Sequence, residues 1–248
     1  MARKERRRRR RPKVQRRFRE SHLYDDTTQL ANALADRTIQ ELQAALETRG
    51  EASLVISGGS TPVPYFTELR RRELSWHNVW VTLADERWVS PDHADSNERL
   101  IREHLLQDQA RDARFVPLKN VEPTPEEGVQ ATEEALVQVP RPFDFVVLGM
   151  GLDGHTASLF PHTTELNAAL DLDTHRLCIA SIPPRAPHAR LSLTLAPLCR
   201  SRAVVLHVTG EAKRKVLHRA SLGGPAKEYP IRAVLDNAGD HLDLYWAP

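Results

Sequence analysis

The sequence predicts an α/β fold, with a mainly parallel sheet covered by helices on both faces. Three observations carry this. Short apolar runs alternate with stretches of helical periodicity, and no internal repeat is evident. One run, Phe145-Val146-Val147-Leu148, is continuously apolar between turn residues, as a strand buried on both faces is. Polar residues gather where the runs end, and open α/β sheets bind ligands beyond the carboxyl ends of their strands.

In chain order, Leu30, Leu34, Ile39, Leu42 and Leu46 recur at helical spacing within 27–48, and Gly50 is placed to cap that helix. A strand over 52–56 follows and runs into Ser57-Gly58-Gly59-Ser60-Thr61-Pro62. There Ser60 or Thr61 suits the N-cap of a helix and Pro62 its first position. Free N–H groups at such a turn make an anion cradle, although an ordinary capped loop reads the same way. Val79 to Leu83 is the next strand, ending in the charged corner Asp85-Glu86-Arg87. Ser96 caps a helix over 97–106.

A Pro- and Glu-rich connection over 117–128 leads to a helix over 129–137 and then to the Phe145–Leu148 strand. Gly149, Gly151 and Gly154 follow, with Asp153 and His155 among them. The glycines let the backbone turn sharply. The residues suit a plain tight turn as well as a titratable pair at a strand end. A helix is expected from Thr156 until Pro161 stops it. Strands follow over 175–182 and 191–195, with Arg190 at the junction before the second. Another strand over 203–208 turns into a helix carrying Lys213 in its first turn. A lysine there opposes the helix dipole, so an anion to reach for would explain it. Residues 242–246 form a closing strand.

Composition narrows the class. With 248 residues and 40% hydrophobic content, the chain can form one large domain plus a tail. Two cysteines, Cys178 and Cys199, give no disulfide scaffold and no metal spacing, and fit reduced thiols in the cytoplasm. No apolar run is long enough for a membrane helix, and no secretory signal is visible. The net charge of +2 hides a split: residues 1 to 20 carry ten Arg, two Lys and two Glu, a net +10, leaving the remainder at −8. The expected organisation is therefore a disordered basic tail over 1–22 and a single domain over 23–248. Such a tail favours phosphate-backbone contact at low salt, but an extension without that role explains it more simply, so no nucleic-acid partner is expected.

Together these stretches resemble the 6-phosphogluconolactonase family. The matching pieces are Ser57-Gly58-Gly59-Ser60-Thr61-Pro62, Asp85-Glu86-Arg87-Trp88-Val89 with Asp95-Ser96-Asn97, the run from Gly149 to Pro161, Arg190-Leu191-Ser192-Leu193-Thr194, and Gly210-x-x-Lys213. They occur in family order over about 24–248. The resemblance implies a Rossmann-like three-layer sandwich and hydrolysis of 6-phosphoglucono-1,5-lactone to 6-phosphogluconate. It implies no metal and no organic cofactor. The partner would be a sugar-phosphate lactone, not a membrane, and the protein a monomer or small homo-oligomer.

The residue chemistry points the same way. A lactone is an activated ester; its hydrolysis needs a base for water and a donor for the developing oxyanion. His155 suits the base, since a free imidazole of pKa ~6.5 is largely neutral at pH 7. Asp85 or Asp153 would orient its ring. Arg87 would stabilise the oxyanion or bind substrate. Gly58, Gly59, Ser60 and Thr61, with Arg190 and Lys213 as counter-charges, would hold the phosphate. A sugar-phosphate isomerase or deaminase of the same superfamily would call for Asp-Glu-Tyr in place of Asp85-Glu86-Arg87. A non-catalytic sugar-phosphate-binding regulator is the alternative from a different class.

Overall fold

The computed structural model describes residues 17–248. The Arg-rich stretch 1–16 lies outside them, so the expected disorder of the tail is addressed only at its end. There it is corrected: Glu20–Leu23 is a strand, β1, at the edge of the main sheet and parallel to β10 (Leu242–Ala247). Arg17 pairs with Asp236, and Arg19 with the buried Asp243. Ion pairing to the body thus fixes the residues that charge counting assigned to a tail.

Helix α1 (Thr27–Arg49) begins at Asp26, whose side chain accepts from the N–H groups of Thr28 and Gln29, each at 2.8 Å. Gly50 ends it at φ 77°, with its N–H on Leu46 O. Such an N-cap is worth about 1 kcal/mol. The stripe Leu30, Leu34, Ala35 and Leu42 is buried, and α1 packs on α2 (Val63–Leu69) and against the sheet.

Strands β2 (Ala52–Ile56), β3 (Val79–Leu83), β5 (Arg114–Val116), β6 (Phe145–Leu148) and β9 (Ala203–Thr209) join β1 and β10 in a seven-stranded sheet of order β1-β10-β9-β6-β2-β3-β5. Every pairing in it is parallel. All residues of β2 and β6 are buried, which is why both read as unbroken apolar runs. Each large aliphatic side chain buried there contributes roughly 1.5–3 kcal/mol. Helices α2 (Val63–Leu69), α3 (Asn97–His104), α4 (Pro125–Leu136), α7 (Glu211–Ser221) and α8 (Ile231–Asn237) surround the sheets, with the short helices α5 (Leu166–Ala169) and α6 (Leu195–Cys199). One hydrophobic cluster runs from Leu30 to Ala247.

A second, antiparallel sheet of order β4-β8-β7 is built from β4 (Asp85–Arg87), β8 (Arg190–Leu193) and β7 (Cys178–Ser181). The charged corner after β3 is thus itself a strand. Three further expectations are corrected. Residues 156–160 are not helical: Thr156 and Ser158 spend their hydroxyls on Gly149 O and the Asp85 carboxylate, Thr156 bridges Leu159, and Ala157 sits at φ 48°. Neither Ser60 nor Thr61 caps α2; Pro62 holds the N-cap position at φ −82°, ψ −3°, with no side-chain cap bond. The strand expected over 191–195 ends at Leu193, because Thr194 turns the chain into α6.

Candidate active site

The chain runs from β2 to β3 to β5 on one side, then returns to lay β6 on the other side of β2. Loops leaving β2 and β6 therefore diverge, and a crevice opens between them at their carboxyl ends. A cleft of about 330 Å³ lies there, lined by the loop 57–62, by Asp85 and Arg87 of β4, by Gly149, Gly151 and His155, and by Arg190 and Lys213. The site residues expected from the sequence thus meet at one place, with the exception of Asp153, which lies on the outer side of His155.

His155 Nδ1 is 2.5 Å from Asp153 Oδ1, and the same oxygen accepts the His155 backbone N–H at 3.1 Å. Burial pushes the Asp153 carboxyl up, but the hydrogen bonds and charge of His155 outweigh it and hold the group below the usual carboxylate range. An ionised Asp153 assigns the proton to Nδ1 and leaves Nε2 as the basic nitrogen. Phe160 lies against the imidazole at 4.6 Å between centroids. Gly151 is required behind it: a Cβ there would stand 2.2 Å from His155 Cε1 and 2.3 Å from Nδ1. Asp85 makes no bond to His155. Its Oδ2 accepts from Ser158 Oγ at 2.6 Å, and its main-chain oxygen from Asn97 Nδ2 at 2.8 Å. Of the two carboxylates weighed for the orienting role, Asp153 is the one in contact with the ring.

Arg87, Arg190 and Lys213 bring positive charge to the cleft wall. Arg87 and Arg190 face each other across β4 and β8. Arg87 Nη1 donates to Asp95 O at 2.5 Å and Arg190 Nη2 to Pro187 O at 3.1 Å, so both use neutral carbonyls. Arg190 is buried, its Nε has no hydrogen-bond partner among the described residues, and burial followed by the charge of Arg87 lowers its pKa. Lys213, half-buried and lowered in pKa by desolvation, donates from Nζ to Thr61 Oγ1 at 3.3 Å. That bond ties the first turn of α7 to the loop after β2. Gly59 sits at φ 93° in this loop, and a Cβ on Gly58 would stand 1.9 Å from Asn97 Oδ1.

Glu86 proves structural. It is buried and accepts from the N–H groups of Arg87, Asn97 and Glu98 at 2.6, 2.8 and 2.7 Å, closing the start of α3. Burial raises its pKa, and those N–H bonds oppose the rise. His207 in β9 lines the cleft and was missed. Burial, reinforced by Lys213, pushes its pKa down to about 4. The available signal was one polar side chain inside Val204-Val205-Leu206-His207-Val208.

Residues 25–246 match the family model described as glucosamine-6-phosphate isomerases/6-phosphogluconolactonase. The chain belongs to this family. A 6-phosphogluconolactonase of Rhizobium meliloti is 45% identical over 92% of this chain and 98% of its own, and one of Pseudomonas putida is 43% identical over 92% of each. The crystal structure of a 6-phosphogluconolactonase from Shewanella baltica superposes with a TM-score of 0.90 at 45% identity, covering 92% of this chain and 97% of that one. A monomeric glucosamine-6-phosphate deaminase shares the fold, with a TM-score of 0.75 at 16% identity over 92% of this chain and 97% of that one. Among the described residues, no helix is long and apolar enough to cross a membrane.

Proposed function

We propose that the chain hydrolyses 6-phospho-D-glucono-1,5-lactone to 6-phospho-D-gluconate, the second step of the oxidative pentose phosphate pathway. The observation that carries this is the Asp153-held imidazole of His155 in a cleft whose other walls present Arg87, Arg190 and Lys213. The relatives named 6-phosphogluconolactonase, 38–45% identical over about nine-tenths of the chain, support the same substrate.

His155 Nε2 takes a proton from water as the oxygen attacks the lactone carbonyl. The resulting tetrahedral oxyanion collapses, the bond from the carbonyl carbon to the ring oxygen breaks, and the imidazolium returns its proton to that leaving oxygen. Asp153 fixes the ring and stabilises the imidazolium. Such a base contributes roughly 10²- to 10⁴-fold. Ser60, Thr61, Arg190 and Lys213 receive the phosphate, with Gly58 and Gly59 allowing its close approach. Arg87, opposite Arg190, completes the fixed positive charge that the phosphate and the oxyanion require. No step calls for a metal or an organic cofactor. Cys178 and Cys199, both free and buried, fit a cytoplasmic protein.

The test is a substrate panel. Phosphorylated lactone should be hydrolysed far above its spontaneous rate, with a kcat/KM well above that for unphosphorylated gluconolactone. Release of ammonia from glucosamine 6-phosphate without lactone hydrolysis would contradict the reading.

A further inference from the structure

We propose that His93, Asp95 and His188 form a binding site for one divalent transition-metal ion of the zinc class, outside the hydrolytic cleft. One nitrogen of each imidazole and one oxygen of Asp95 lie within 4.8 Å of one another. Asp95 Oδ2 is 2.9 Å from His188 Nε2 and 3.9 Å from His93 Nδ1. The two rings meet edge to face, with centroids 5.2 Å apart and planes at 77°. Zinc binds imidazole nitrogen and carboxylate oxygen at about 2.0–2.2 Å, so donors sharing a tetrahedral ion stand roughly 3.3–3.5 Å apart. The observed separations fall on either side of that value. Small rotations of exposed side chains close the site. His93 Nδ1 now accepts the Asp95 N–H at 3.0 Å, and coordination through that nitrogen replaces this contact.

Two nitrogens and one carboxylate oxygen suit zinc, cobalt, nickel or copper rather than magnesium or calcium. A fourth position remains for water. The ligands come from two separate segments, the loop between β4 and α3 and the loop before β8. His188 sits there at φ 68°, a left-handed conformation uncommon outside glycine, which places its ring against Asp95. Asp95 O receives Arg87, and Pro187 O receives Arg190. A bound ion would therefore clamp together the two loops that carry the carbonyl partners of both cleft arginines. Its role is to brace these loops rather than to act on the lactone, and its binding stands or falls independently of the hydrolytic reading.

The experiment titrates chelator-stripped full-length protein with Co²⁺, followed by visible absorption, and with Zn²⁺, followed by calorimetry. Residues 1–16 contain no His or Cys that would compete for the ion. One equivalent should bind, with the intense cobalt band of a four- or five-coordinate site and a rise in Tm. His93→Ala and His188→Asn should each weaken binding about tenfold or more while hydrolysing lactone normally without metal. Asn tolerates a positive φ, so the second variant keeps the loop conformation. His155→Ala should bind the ion as wild type does. Absence of saturable binding, or wild-type affinity in both ligand variants, would overturn the proposal. So would loss of binding in His155→Ala, which would put the ion on the His155–Asp153 pair instead.

Discussion

Arg87 and Arg190 occupy directly opposed positions in the antiparallel pair of β4 and β8, and each guanidinium is bonded to a main-chain carbonyl. Like charges in that register cost stability, by up to about 1 kcal/mol. An anion between the two arginines reverses the sign of the interaction. Inorganic phosphate should therefore raise the Tm of the wild type and compete with substrate. Arg190→Gln should lose most of that stabilisation. Charge-assisted hydrogen bonds are worth roughly 1.5–3 kcal/mol, so Arg190→Gln or Lys213→Ala should raise KM roughly ten- to a hundredfold and leave kcat close to normal. Steady-state kinetics and thermal unfolding with and without phosphate check this.

Asp153→Asn separates orientation from binding. An amide can donate to Nδ1 where the carboxylate accepted from it, and so selects the tautomer that leaves Nε2 protonated. The kcat should fall roughly 10²- to 10⁴-fold with KM nearly unchanged. Asp153 is 51% exposed, so Tm should move little. Asp85→Ala should behave differently, because it removes the acceptor of the Ser158 hydroxyl and loosens the segment 156–160.

Gly151→Ala tests the close approach behind the base. The added methyl would stand 2.2 Å from His155 Cε1 and 2.8 Å from Asp153 Oδ1, so the half-exposed ring must move. A displacement of about 1 Å costs on the order of 10² in rate. Gly149→Ala, whose Cβ meets nothing within 4 Å, should retain far more activity. Equal losses in the two variants would contradict the placement of the ring.

His207 ties stability to pH. Its pKa in the fold is about 4, against ~6.5 in an unfolded chain. Between these values the unfolded state binds more protons, so stability is fully present above ~6.5 and is lost as pH falls towards 4. From pH 6.5 to pH 5 the loss attributable to this group is roughly 2 kcal/mol. His207→Gln should flatten that part of the profile, as denaturant unfolding at several pH values would reveal.

The sheet was legible in the sequence because β2, β6 and β9 are buried runs, whose apolar composition is set by the burial itself. Capping chemistry made α1 and α3 legible through Gly50 and Ser96. The second sheet was not: β4 is three charged residues, and what makes it a strand is a partner, β8, about a hundred residues away. The segment 156–160 misled because Thr156 and Ser158 are held by Gly149 and Asp85, contacts no local pattern encodes. In the site, the residues set into polar loops were legible by type. The choice of Asp153 over Asp85 as the ring's partner needed distances. His207 was hidden within the apolar pattern of its own strand.

The proposed role of His155 as the base of a lactonase is open to a single decisive comparison. The most direct measurement follows freshly prepared 6-phosphogluconolactone at neutral pH, against its spontaneous loss, with wild type and His155→Ala. The wild type should accelerate the loss strongly, and the variant should retain about 1% of that acceleration or less, with KM little changed. A variant as fast as the wild type would contradict the assignment of the base, and a wild type no faster than the background would contradict the function.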